Sequence, residues 1–177
     1  MVKPIGDEEL MLKVRDGDLK AFEEIVRRHQ TWTWRIAYRF LGDEDEAADM
    51  VQEAFLRLLD ASHRYRPEAK FRTYFYQIIT RLCLDVIKKK KPLYVKDIPE
   101  IPDSNPDTSE LMIREEVAAA VRIAINDLPP KQRIAIIYRY YEKMNYEEIA
   151  SALETTPKAV ERLLARGRDR LRAILSG

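Results

Sequence analysis

Apolar residues recur at steps of three and four along almost the whole chain, and no run alternates apolar with polar long enough for a half-buried strand. Glycine, the usual punctuation of tight strand turns, occurs five times in 177 residues, at Gly6, Gly17, Gly42, Gly167 and Gly177. The pattern predicts an all-α protein. It is divided once. Four of the nine prolines, Pro92, Pro99, Pro102 and Pro106, fall in a stretch with one base, Lys96, and the acids Asp97, Glu100, Asp103, Asp107 and Glu110. Residues 92–109 therefore read as a flexible, negatively charged linker. It joins two small helical domains, 1–91 and 110–177, each near the lower size at which a core sustains itself.

The net charge of +1 conceals opposite blocks. From Asp43 to Asp60 there are seven acids and one base, Arg57; from Arg64 to Lys91 there are nine bases against Glu68 and Asp85. Cys83 is the only cysteine, which excludes an intramolecular disulfide and a cysteine zinc site and fits a reducing compartment. The opening MVKPIGDEELML lacks the basic and then apolar segments of a secretory signal, and nothing approaches the roughly 20 apolar residues of a membrane span. The expected location is cytoplasmic, without membrane insertion.

Helix ends carry residues with a mechanical reason to be there. Gly17 before Asp18, and Gly42 before Asp43, each set a residue tolerant of left-handed backbone ahead of a capping oxygen. Glu46 completes a capping-box pattern with Asp43. The acidic helix that follows turns Ala47, Met50, Val51, Ala54, Phe55 and Leu58 to one face and leaves Asp45, Asp49, Gln52, Glu53 and Leu56 at its edge or exterior. Its acids suit either a solvated face or a partner site.

The next helix, expected from about Glu68 to Lys91, keeps Phe71, Phe75, Ile78, Ile79, Leu82 and Val86 for the core. Tyr74 and Tyr76 stand off that stripe beside Arg72, Gln77 and Arg81, with Arg64, Tyr65, Arg66 and Lys70 in the preceding turn. Aromatic faces interleaved with cations are what single-stranded nucleic acid requires, each stacked base contributing about 1 to 3 kcal/mol.

Near the C-terminus, Asn145 with Glu148 forms a second capping pattern, and Thr156 followed by Pro157 starts another helix. Ile149, Ala150 and Leu153 face Val160, Leu163 and Leu164 across a short turn. This is helix-turn-helix spacing, with Lys158, Glu161, Arg162, Ala165 and Arg166 offered to a major groove. Six bases stand against two acids between Lys158 and Arg172. Which arginines read bases and which hold phosphates is left open.

In this order the segments resemble the extracytoplasmic-function (ECF) sigma factors, the smallest members of the bacterial housekeeping-type, sigma-70-like class. GDLKAFEEIVRRH looks like the family's first helix, LGDEDEAADMVQEAFLRLL like its core-polymerase-binding signature, and KFRTYFYQIITRLCLDVIKKKK like its minus-ten recognition and melting helix. LPPKQRIAIIYRYYEKMNYEEIASAL with the next helix resembles the minus-35-binding domain. The resemblance implies that Asp49, Gln52, Glu53, Phe55 and Leu56 dock, or support docking, on the clamp helices of the polymerase largest subunit, with Phe55 mostly in the core. It places Lys70, Arg72, Thr73, Tyr74, Tyr76, Gln77 and Arg81 on the non-template strand at minus ten, and Thr156, Lys158, Arg162, Arg166 and Arg168 near the minus-35 duplex. Tyr74 stands where the family commonly has tryptophan, Arg81 where it has asparagine, and Glu161 and Leu163 where bases are frequent. The promoter sequence is therefore not implied.

The expected function is an alternative sigma factor that brings core RNA polymerase, through its clamp helices and flap, to promoters and helps to melt them. An anti-sigma factor is a further implied partner. No catalytic role, cofactor or metal is expected, since there is no phosphate loop or ligand cluster and only His29 and His63 among histidines. Two alternatives are a stand-alone helix-turn-helix regulator and a polymerase-binding adaptor without initiation activity. The linker also permits a closed form in which the acidic face meets the basic last helix, a form that salt would loosen.

Overall fold

A computed structural model describes residues 5–89 and 109–176, so the expected linker lies almost wholly outside the described residues. Those residues form eight helices and no strand: α1 (Asp7–Arg15), α2 (Leu19–Leu41), α3 (Glu44–Ser62), α4 (Phe71–Lys89), α5 (Ser109–Asn126), α6 (Pro130–Tyr140), α7 (Tyr146–Ala152) and α8 (Pro157–Leu175). The fold is all-α, as the periodicity predicts.

The boundaries follow local chemistry. Asp18 accepts from the backbone N–H of Lys20 and Ala21 to start α2, and Asp43 accepts from Glu46 to start α3. Asn145 and Glu148 make the reciprocal capping box of α7, and the Thr156 hydroxyl caps α8 ahead of Pro157. Gly17 and Gly42 take the left-handed backbone that ends α1 and α2. Gly42 has a second reason to lack a side chain: a Cβ there would stand 2.5 Å from Asn126 Nδ2. Gly167 in α8 serves close crossing instead, since its Cβ would meet Ile136 Cγ1 of α6 at 3.0 Å.

α1 to α4 build one core around Ile25, Ile36, Phe40, Leu58, Phe71, Phe75 and Ile79; Leu128, Ile134, Ile136, Tyr138, Ile149, Val160 and Leu164 build that of α5 to α8. The two are continuous. Contact runs from α2 and α4 to α5, α6 and α7, and not extensively between acidic α3 and basic α8, the meeting that the linker also permits. Burial decides this. The Tyr76 and Tyr138 rings pack edge to face at 5.1 Å and the Thr80 and Tyr138 hydroxyls share a buried 2.8 Å hydrogen bond, whereas attraction between solvated charges contributes little.

α1 is tied to the bundle by a part-buried chain of hydrogen bonds. Trp32 donates its indole N–H to His29 Nδ1 at 2.7 Å, so the ring proton sits on Nε2, 3.0 Å from Asp7 Oδ2. Burial, the largest cause, pulls the His29 pKa below its ordinary 6.5; Asp7 opposes that, while Arg72 and Arg28 add to it. The unfolded chain then binds a proton that the folded chain resists, so stability falls as pH drops below the unfolded value. Thermal unfolding between about pH 7.5 and about pH 5.5 is expected to show a smaller decline for His29→Gln than for the parent. Equal declines would remove His29 as the cause.

Candidate polymerase and nucleic-acid interfaces

On α3, the capping of Asp43 fixes the helix phase, and the apolar stripe buries Ala47, Met50, Ala54, Phe55 and Leu58. Asp49, Gln52, Glu53 and Leu56, three and four residues apart, consequently form one exposed ridge. Leu56, 50% exposed, adds an apolar side chain to this otherwise polar ridge. Phe55 is turned inward, 5.2 Å from the Phe75 ring and 6.4 Å from that of Phe22. It supports the ridge from beneath. Arg57 Nε bonds Glu53 at 2.8 Å along the same helix.

α4 starts at Phe71, whose backbone N–H donates to Glu8 of α1, so the expected Glu68 lies in the preceding turn. Its candidate residues divide between two sides. Tyr74, Gln77 and Arg81 line a depression of about 200 Å³ with Arg57, Ala61 and Ile78. Lys70, Arg72, Thr73 and Tyr76 line another, of about 250 Å³, whose far wall is Glu142, Lys143, Met144 and Glu148.

Two aromatics depart from the expectation. Tyr76 is buried, not displayed: it lies under Trp32, ring centroids 5.1 Å apart, and against Tyr138, and its hydroxyl donates to Glu142 at 3.0 Å. Burial, helped by Glu142, pushes its pKa up. Tyr65 is buried too, packed at 5.4 Å on Tyr74, and burial pushes its phenol up to about 12. The apolar stripe of α4 accounts for only one of its packed faces. Both the second domain and the turn before α4 supply extra surface to pack on.

In α8, Lys158, Arg162 and Arg166 repeat every four residues and are exposed, so they form one cationic row. Thr156 is exposed at its head, but its hydroxyl is engaged by Ala159 N–H as the cap. Arg168 is not part of the row: it turns toward Tyr140 and Tyr146, whose hydroxyls raise its pKa, and joins Val121, Ile136 and Leu171 around an apolar groove.

The chain matches two family descriptions, Sigma-70 region 2 over residues 25–92 and Sigma-70 region 4 over residues 118–171. It is 31% identical to the ECF RNA polymerase sigma factor SigW of Bacillus subtilis, across 93% of this chain and 96% of that one. The chain belongs to the ECF sigma factors. With the ECF RNA polymerase sigma factor SigE of Mycolicibacterium smegmatis it is 29% identical over 89% of its own length but spans only 63% of that relative. Among solved structures, CnrH in complex with the cytosolic domain of CnrY shares the fold at a TM-score of 0.72, with 24% identity, 96% of this chain and 97% of that one being covered.

Some residues that shape these surfaces in the sigma factor were not singled out in the sequence. Trp32 of α2 lies beneath the Arg72 guanidinium, 5.2 Å from its ring, and beside Tyr76. Arg133 of α6 is buried and donates to the carbonyls of Phe40 (2.8 Å), Leu128 (3.2 Å) and Asn126. Glu142 and Glu154 face α4. An arginine or glutamate whose partner lies more than 60 positions away leaves no periodic signal. No group of side chains suited to a metal ion and no helix long and apolar enough to cross a membrane occurs among the described residues.

Proposed function

We propose that this chain is an alternative sigma factor that binds core RNA polymerase, directs it to specific promoters and assists their melting. The observation that carries the reading is the exposed ridge Asp49, Gln52, Glu53 and Leu56: an anionic, partly apolar surface repels DNA and suits a basic or amphipathic protein partner. A stand-alone DNA-binding regulator has no use for it. Within this reading the ridge docks on the clamp helices of the polymerase largest subunit. Lys70, Arg72, Thr73, Tyr74, Tyr76, Gln77 and Arg81 engage the minus-ten strand. Thr156, Lys158, Arg162 and Arg166 meet the minus-35 duplex, with Arg168 supporting α8 from its other side.

The domains of the proposal are 1–91 and 110–177, joined by the acidic segment 92–109. Phosphodiester chemistry belongs to the polymerase and this chain works as a non-catalytic subunit in the cytoplasm. An anti-sigma factor completes the set of partners. Run-off transcription with core enzyme on genomic fragments tests the reading: discrete start sites that depend on this chain are expected. Start sites identical with and without it would refute initiation activity.

A further inference from the structure

Between Lys158 and Arg172, α8 carries two acids among six basic residues, and the two acids differ. Asp169 is held by the Arg172 guanidinium at 3.2 Å along the same helix. Glu161 is exposed, and no hydrogen bond or ion pair engages it among the described residues. The ordinary reasons for an acid in a helix are missing here. Glu161 is the fifth residue of α8, past the first turn where the helix dipole favours negative charge, and the cap is already supplied by Thr156. Pro157 and Ala165, one turn away on either side, offer it no cation. The buried stripe runs through Val160, Leu164 and Gly167 instead. What surrounds Glu161 is the face assigned to duplex DNA: it follows Lys158 by three residues and adjoins Arg162, so it flanks the exposed row Lys158, Arg162 and Arg166, with short Ala165 leaving room for a base pair to approach.

Duplex phosphates repel a carboxylate at such a place, and only a base edge with a donor offsets that repulsion. In the major groove guanine presents N7 and O6, and thymine O4, all of them acceptors. Adenine sets the N7 acceptor beside its N6 donor. Cytosine alone offers an amino donor with no acceptor next to it on the same base. We propose that Glu161 is a specificity-determining residue, which selects a cytosine in the minus-35 element by accepting from its N4 amino group. This selection rests on the minus-35 assignment above. The cations of the same face supply affinity for any duplex, and Glu161 subtracts from that affinity everywhere except at a cytosine. Its effect on binding therefore has opposite signs on matched and unmatched sequences.

The test uses holoenzyme assembled from core polymerase and the full chain. A promoter located by run-off transcription is rebuilt as a duplex library with its minus-35 element randomised and a transcribed barcode in each template, and transcripts are counted by barcode. The parent is expected to prefer cytosine at one base pair about tenfold, the scale of one good base contact. Glu161→Ala should lose that preference while transcribing the other templates more strongly. Glu161→Gln should move it to adenine, whose N6 and N7 an amide pairs together. Glu115→Ala on α5, also exposed, makes the same change of net charge and should keep the parent's preference. A loss confined to one base pair separates reading from support, since a weakened α8 would lower selection along the whole element. Identical preferences in the parent and Glu161→Ala overturn the assignment. So does an equal gain on every template, which would leave Glu161 as a repulsive charge without a base to read. In both cases transcription by the parent keeps the functional reading standing. If the parent starts no transcription with core enzyme, the functional reading falls first and the assignment with it.

Discussion

Arg133→Met is expected to lower the free energy of unfolding by about 2 to 4 kcal/mol, because it strips hydrogen bonds from several buried carbonyls at once. Arg133 is only 9% exposed, and no carboxylate bonds it among the described residues. Its guanidinium instead bonds the carbonyls of Phe40, in the last turn of α2, of Asn126, the last residue of α5, and of Leu128, while lying over the Phe40 ring at 5.1 Å. Helix C-termini carry unpaired carbonyls and the negative end of the dipole, so a cation there satisfies the polar groups and the field together. Burial lowers its pKa, with Asp127 opposing, yet an arginine starts high enough to stay charged. Methionine keeps much of the volume and none of the donors. Lysine keeps the charge but not the fork and cannot bridge carbonyls from three segments, so Arg133→Lys should recover only part of the loss. Denaturant unfolding monitored by tryptophan fluorescence reads all three proteins. A loss below about 1 kcal/mol for methionine would mean that solvent already reaches these carbonyls.

The contrast between α3 and α4 explains how much of this was legible beforehand. The residues that cap α2, α3, α7 and α8 act within three positions of themselves, so Asp18, Asp43, Asn145 and Thr156 can be read directly from the chain. The ridge on α3 was equally legible, because a helix with one buried stripe leaves its opposite residues in water whatever else the protein does. α4 has neighbours on more than one side. Its second contact face is supplied by α6 and α7, distant in sequence, and this buries Tyr76 and engages Gln77 and Arg81 although their local spacing places them outside the stripe. The same distance hides Gly42, which reads as a helix stop but is also pressed by Asn126. The linker permits a meeting of acidic α3 with basic α8, but a sum of charges identifies attraction without identifying which apolar surfaces need cover, and the latter set the contact.

Reversing charge on the α3 ridge is expected to separate partner binding from folding. In Asp49→Lys with Glu53→Lys, both positions are exposed and neither supports the core, and only the surface pair of Glu53 with Arg57 is lost. Such a pair is worth about 0 to 1 kcal/mol, so the unfolding transition should move little. At a docked interface the same change replaces attraction by repulsion in a partly desolvated setting, where losing a charged contact costs on the order of 2 to 5 kcal/mol. About 3 kcal/mol within that range corresponds to roughly a hundredfold weaker affinity for core polymerase. Leu56→Ala tests the apolar end of the ridge: a half-exposed leucine that inserts into a partner loses affinity without loss of stability, whereas one that merely covers α3 does the reverse. Titration of labelled chain with core enzyme, alongside thermal unfolding of the same samples, distinguishes these outcomes. Core affinity unchanged in the double lysine variant would place the polymerase contact on another surface. The charge contrast between α3 and α4 would then report only how the two helices are solvated.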